Sequence, residues 1–122
     1  MRILIIDDEF SVTENLELYL VREFHTVEAW SFVHSAEHLR ERLDSFQPQA
    51  VILDFGMEPS GVEIYKWVKD WQPSTPVVFY TSYGATPEFR LQMKQAGAQD
   101  YEIIPKREVG SDVKQLLDVL WS

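Results

Sequence analysis

The sequence predicts an α/β domain, a doubly wound parallel sheet of five strands with five helices on its two faces. Three observations carry this. Short apolar runs alternate with stretches of helical period along the chain. The runs are largely continuous rather than apolar at every second residue, as strands covered on both faces must be. The stretches between them are long enough for the helical crossovers that parallel strands require, and such crossovers are right-handed.

The first strand is read at Ile3 to Ile6, four consecutive aliphatic residues. A helix follows, with Val12, Leu16, Tyr19, Leu20 and Phe24 at helical spacing, and Ser11 with Glu14 reads as a capping box at its start. Thr26 to Trp30 is the second strand, and Ala36, Leu39, Leu43 and Phe46 mark the second helix. Ala50 to Leu53 is the third strand. The stripe Ile64, Trp67, Val68 and Trp71 marks the third helix, which Ser60 and Glu63 would open as a second capping box. After the fourth strand, Val77 to Tyr80, Thr86 and Pro87 place proline in the first turn of a helix carrying Phe89, Met93 and Ala96. The fifth strand is read at Tyr101 to Ile104, and the last helix carries Val109, Val113, Leu116, Leu117 and Leu120. No repeat, low-complexity tract or Gly/Ser linker interrupts this order, so residues 1–122 are expected to form one domain.

Composition narrows the function. At 122 residues and 45% hydrophobic content the chain can bury a sizeable core. Eleven Lys and Arg against twenty Asp and Glu leave a formal charge of -9, which repels phosphate backbones and anionic lipid. Neither direct nucleic-acid binding nor membrane association is expected. The absence of cysteine excludes disulfides, thiolate nucleophiles and cysteine metal sites, and fits a reducing compartment, so a soluble cytoplasmic location is expected. The opening MRILIID is too short for a signal-peptide core, and no apolar stretch approaches the ~18 residues of a membrane span.

Ligands of doubly wound sheets bind outside the carboxyl ends of the strands, and four of the predicted strands lead into polar groups there. Strand one ends in Asp7 and Asp8, strand three in Asp54 and strand four in Thr81, while strand five leads through Pro105 to Lys106. Carboxylates left ~4 Å apart repel pairwise by about 4 kcal/mol at an effective dielectric of 20, so a cation must compensate. Oxygen ligands without His or Cys nearby favour a hard ion. Mg²⁺ suits best, because it is usually held by one or two carboxylates, waters and a substrate phosphate. A carboxylate beside Mg²⁺ can attack a phosphoryl group to give an aspartyl phosphate, with a lysine neutralising the transferring oxygens. Any one of these residues alone would read as a turn or strand-end residue. Together they read as an acidic, cation-binding, phosphate-accepting site.

The segments ILIIDDE, VILDF and VVFYTS and the late Lys106, in this order and spacing, resemble the receiver domain of two-component response regulators, the CheY-like family, over essentially the whole chain. The resemblance implies a flavodoxin-like strand order 2-1-3-4-5. It implies Asp54 as phosphoacceptor, Asp8 and Asp54 as direct Mg²⁺ ligands, Asp7 acting largely through water, and the Gly56 carbonyl completing the protein ligands. Thr81 would hydrogen-bond the phosphoryl group and Lys106 would pair with it, which makes Asp54, Thr81 and Lys106 the catalytic set. As a phosphorelay component the chain would take its phosphoryl group from a sensor histidine kinase or histidine phosphotransfer protein. It would switch a surface toward a downstream effector that the sequence does not identify, with a homodimer compatible with the pattern. It would not be an enzyme beyond its own phosphoryl transfer and dephosphorylation.

Three positions depart from the family pattern. Met57 is followed by Glu58 where the family carries proline, with Pro59 and Gly61 displaced, so the loop after strand three is expected to be reshaped. Ile103 stands where the family's aromatic switch residue precedes the lysine, and Tyr101 lies five before Lys106, so Tyr101 is read as a packed strand-end aromatic. Arg107 replaces the proline that follows the lysine, so the loop before the last helix must differ. These departures support a second hypothesis, a phosphorylation-independent pseudo-receiver that acts as an interaction module. A third, a Mg²⁺-dependent phosphatase of the haloacid dehalogenase type, shares the carboxylate chemistry but would need a D-x-D pattern and a cap that this chain lacks. His34 and His38 stand four apart beside Glu37 but read as solvated surface without a third ligand. Trp67 and Trp71 read as core packing.

Overall fold

The computed structural model describes residues 1–54, 56, 60–82, 86–99 and 102–121. Elements alternate along the chain as β1 (Arg2–Ile6), α1 (Phe10–Arg22), β2 (Thr26–Trp30), α2 (Ala36–Phe46), β3 (Ala50–Leu53), α3 (Gly61–Trp71), β4 (Val77–Thr81), α4 (Pro87–Gln95), β5 (Ile103–Pro105) and α5 (Val109–Leu120). The strands form one sheet in the order β2-β1-β3-β4-β5. All four pairings are parallel. The expected doubly wound sheet and its strand order are therefore present.

Side chains alternate across the sheet and feed two cores. Leu4, Ile6, Val51, Leu53, Val77, Phe79 and Ile103 face α2, α3 and α4, where they meet Leu39, Leu43, Ile64, Val68, Phe89 and Met93. Ile3, Ile5, Ala50, Ile52, Val78, Tyr80 and Ile104 face α1 and α5, where they meet Leu16, Leu20, Leu116 and Leu120. Burial on both faces explains why β1, β3 and β4 read as uninterrupted apolar runs. Helices α1 and α5 approach closely at Gly110, where an added Cβ would lie 2.7 Å from the Tyr19 hydroxyl.

Local signals were accurate where side chains decide the geometry. Ser60 caps α3 by accepting from the Glu63 N–H at 3.4 Å, Ser35 caps α2 by accepting from His38 at 3.1 Å, and Pro87 opens α4. The capping box read at Ser11 is not formed. Glu9 is the N-cap of α1, and Ser11 lies inside the helix, because Asp7 turns the chain early by accepting the Glu9 N–H at 2.8 Å. Phe24 is not part of the α1 stripe. The helix stops at Arg22, and Phe24 takes a left-handed φ of 65° with 94% of its surface exposed. That conformation lets the His25 N–H reach back to the Leu20 carbonyl at 3.1 Å, a closure that glycine usually supplies. Strand β5 starts at Ile103, later than expected, because Glu102 closes a turn on Gln99 through both backbone and side chain. Tyr101 lies outside the described residues. Trp67 and Trp71 pack against the α2–α3 side of the core, and the Trp71 indole donates to Asp44 at 2.8 Å.

Candidate functional site

The main chain, rather than any loop, places the acidic residues. Parallel pairing continues one residue past each strand: Asp7 N–H donates to the Trp30 carbonyl at 3.0 Å, Asp54 N–H to Ile6 at 2.9 Å, and Lys106 N–H to Thr81 at 3.0 Å. Asp7, Asp54 and Lys106 therefore leave the sheet edge at positions set by the ladder. Asp7 and Asp54 are buried, at 2% and 6% exposure, and Asp8 beside them is exposed.

One carboxylate oxygen from each of Asp7, Asp8 and Asp54 can be chosen so that all lie within 4.8 Å of one another. Among the described residues this is the one group of three metal-ligating side chains; His34 and His38 stack edge to face at 4.9 Å without joining such a group. Lys106 reaches across from the far side of the sheet. Its Nζ lies 2.9 Å from Asp7 Oδ2, 3.5 Å from Asp54 Oδ1 and 3.3 Å from Glu9 Oε1. The ammonium is thus the internal counter-charge of the cluster.

The electrostatics follow from burial. Desolvation pushes the Asp7 carboxyl up to about 6, with the Asp54 charge adding to the rise, against the Lys106 bond and the Glu9 N–H, which pull it down. Burial alone would lower the Lys106 value, but its bond to Asp7 and the charges of Asp7, Asp54 and Glu9 outweigh this and raise it. Lys106 therefore stays protonated, while Asp7 ionises reluctantly. An all-oxygen set with one destabilised carboxylate fits a hard divalent cation, which would favour the ionised form of Asp7.

Thr81 closes β4 and is fully buried beside this edge. Gly56 is an exposed bend residue two beyond Asp54, while Met57, Glu58 and Pro59, where the loop departs from the expected pattern, lie outside the described residues. Sequence reasoning did not single out Glu9 as a partner of Lys106; the third acid of the DDE run was the available signal. It also missed Asp112, a buried carboxylate behind the lysine loop, which reads in sequence as an ordinary acid in the first turns of a helix.

Comparison with known proteins agrees with this geometry. Residues 3–118 match the response regulator receiver domain family. The transcriptional regulatory protein ResD of Bacillus subtilis is 29% identical over 119 residues, which cover 95% of this chain and 48% of that protein. The response regulator MprA of Mycobacterium ulcerans is 31% identical over 107 residues, covering 87% of this chain and 44% of that protein. The chain thus spans about half the length of the curated relatives it matches. In fold it is similar to the chemotaxis protein CheY4 of Vibrio cholerae, with a TM-score of 0.79, 22% identity and 98% of both chains covered. It is also similar to a response regulator of Burkholderia pseudomallei solved with a phosphorylated aspartic acid, calcium and citrate, with a TM-score of 0.77, 21% identity, and 98% and 65% of the two chains covered.

Proposed function

From the premise that the chain belongs to the response regulator receiver family, we propose that it is a phosphorelay receiver whose Asp54 accepts a phosphoryl group. The observation that carries the reading is the meeting of Asp7, Asp8 and Asp54 within 4.8 Å, with the Lys106 ammonium 3.5 Å from Asp54. A carboxylate oxygen of Asp54 attacks phosphorus, the donor's N–P bond breaks, and the imidazole leaves with a proton from solvent. Asp8, Asp54 and the Gly56 carbonyl would hold Mg²⁺ directly, with Asp7 acting through water. When bound, that ion neutralises the equatorial oxygens of the transferring group. Lys106 stabilises the same oxygens, and it must partly give up Asp7 to do so. The Thr81 hydroxyl hydrogen-bonds the phosphoryl group and draws the end of β4 inward.

The donor would be a sensor histidine kinase or a histidine phosphotransfer protein, and the response a changed affinity for a downstream effector in the cytoplasm. The domain would catalyse only its own phosphorylation and dephosphorylation. The phosphorylated aspartic acid in the Burkholderia pseudomallei relative supports the chemistry. Incubation with Mg²⁺ and acetyl phosphate should add the mass of one phosphoryl group, and Asp54→Ala should lose the gain. No gain from acetyl phosphate, other small donors or a cognate kinase would reject the reading.

The altered sequence after Asp54 and Ile103 in place of an aromatic before Lys106 favour a second reading, a pseudo-receiver that binds its partner without phosphate. A partner held equally by wild type and Asp54→Ala would support it.

A further inference from the structure

Behind Lys106 the chain makes a turn of exposed residues, Arg107 and Glu108, before α5 begins. Arg107 stands where a proline would offer no N–H, and here that N–H is used: it donates to Asp112 Oδ2 at 2.9 Å. Glu108 N–H donates to the same oxygen at 3.0 Å, and the buried Tyr80 hydroxyl donates to it at 2.7 Å. Asp112 is itself 5% exposed, in the first turn of α5. The N–H groups of residues 106, 107 and 108 are therefore all taken by groups outside the turn: the Thr81 carbonyl, then Asp112 twice.

A carboxylate that only capped a helix would have no reason to be buried, because an exposed one does this without the desolvation cost. Nor would capping involve Tyr80. Its hydroxyl reaches Asp112 from the residue next to Thr81, and burial with the bond to Asp112 keeps that phenol protonated and donating. The turn is thus pinned to both β4 and α5 within two residues of Lys106, whose side chain is held at its far end by the carboxylates of the cluster.

We infer that Asp112 is a positioning residue for Lys106: its carboxylate, tied to Tyr80, holds the turn from which the lysine reaches Asp7 and Asp54. This rests on the proposed phosphoacceptor function for its consequence, but not for its geometry. Loss of the clamp lets the ammonium swing away from the phosphoryl oxygens, and misplacement by about an ångström of a charge-stabilising group costs up to ~100-fold in rate.

The test compares phosphorylation by acetyl phosphate with Mg²⁺ for wild type, Asp112→Ala, Asp112→Asn and Tyr80→Phe, each with Lys106 intact and with Lys106→Met. Asp112→Ala should slow the reaction roughly 10-fold with the lysine present and leave it unchanged without it. Asp112→Asn keeps an acceptor oxygen for both amides and should restore the rate to within about threefold of wild type. Equal slowing in both backgrounds, or no slowing, overturns the inference. Should Asp112→Ala fail to fold, Tyr80→Phe carries the same comparison, with about threefold slowing that also requires Lys106. A second readout needs no phosphoryl transfer. The ¹H–¹⁵N signal of the Lys106 ammonium should shift or broaden in Asp112→Ala, and a signal unchanged from wild type again overturns the inference. If wild type takes no phosphoryl group yet the lysine signal moves, the phosphoacceptor reading fails and the positioning role stands.

Discussion

Asp7 and Asp112 are buried to nearly the same degree, at 2% and 5% exposure, one against the Lys106 ammonium and the other against the turn behind it, yet the protein treats them in opposite ways. Asp112 gathers three donors on one oxygen at 2.7 to 3.0 Å, so its charge is met by dipoles fixed in β4 and the α5 turn. Asp7 has the Lys106 ammonium at 2.9 Å and one backbone N–H, but its burial, with the Asp54 charge adding to it, pushes it up to about 6. The clamp is a satisfied polar network of the kind that specifies a unique packing. The cluster is left short of positive charge, which is the condition for taking up a cation. Rigidity in the turn behind the lysine and electrostatic deficit at its ammonium are complementary: the lysine is aimed by the first and attracted by the second.

The largest expected effect would break that contrast from the clamp side. Asp112→Ala leaves the Tyr80 hydroxyl and two backbone amides without their acceptor, and at about 1–3 kcal/mol for each buried donor the loss should be about 3–5 kcal/mol after partial rehydration of the exposed turn. Urea unfolding measures it; a loss below about 1 kcal/mol would mean the network is not a satisfied one.

Removing charge on the other side should act with opposite sign. Asp7 ionises near 6 when folded against an ordinary 3.8, so the folded state holds this proton more tightly. Stability from this group is fully present below about pH 3.8 and lost as the pH rises through about 6. At ~1.4 kcal/mol per unit the penalty at neutral pH, already net of the Lys106 bond, has a ceiling of about 3 kcal/mol. Asp7→Asn without Mg²⁺ should thus gain about 1–2 kcal/mol at pH 7.5 and flatten the pH dependence between 4 and 7. A less stable variant at pH 7.5 would show that the lysine bond outweighs burial.

A cation should relieve the same deficit. Free Mg²⁺ at ten times its dissociation constant adds about 1.4 kcal/mol to stability. Melting curves should show this rise in wild type, its reversal by EDTA and its absence in Asp8→Ala; a rise surviving in Asp8→Ala would place the ion elsewhere.

The smallest effect serves as a control far from both regions. Phe24 is 94% exposed at a φ of 65°, so Phe24→Gly sacrifices little burial and relieves the left-handed conformation. A gain of about 0.5–1 kcal/mol is expected, with no change in Mg²⁺ response.

The sequence by itself determined the fold and which polar residues share one sheet edge. Apolar runs at Ile3–Ile6, Ala50–Leu53 and Val77–Tyr80 could only be strands covered on both faces, and the helices between them dictated parallel pairing. Parallel pairing then put Asp7, Asp8, Asp54, Thr81 and Lys106 on one edge before any distance was known. What depended on side chains meeting across the sheet was decided only by the tertiary structure. Tyr80 and Asp112 are 32 residues apart, and each alone is an ordinary buried aromatic and an ordinary early-helix acid. Glu9 became a partner of Lys106 because Asp7 moved the start of α1 ahead of Ser11, a backbone choice that the Ser11–Glu14 spacing could not reveal. Periodicity reports which face a residue occupies, whereas charge balance depends on distances between elements, and those exist only once the sheet and helices are packed.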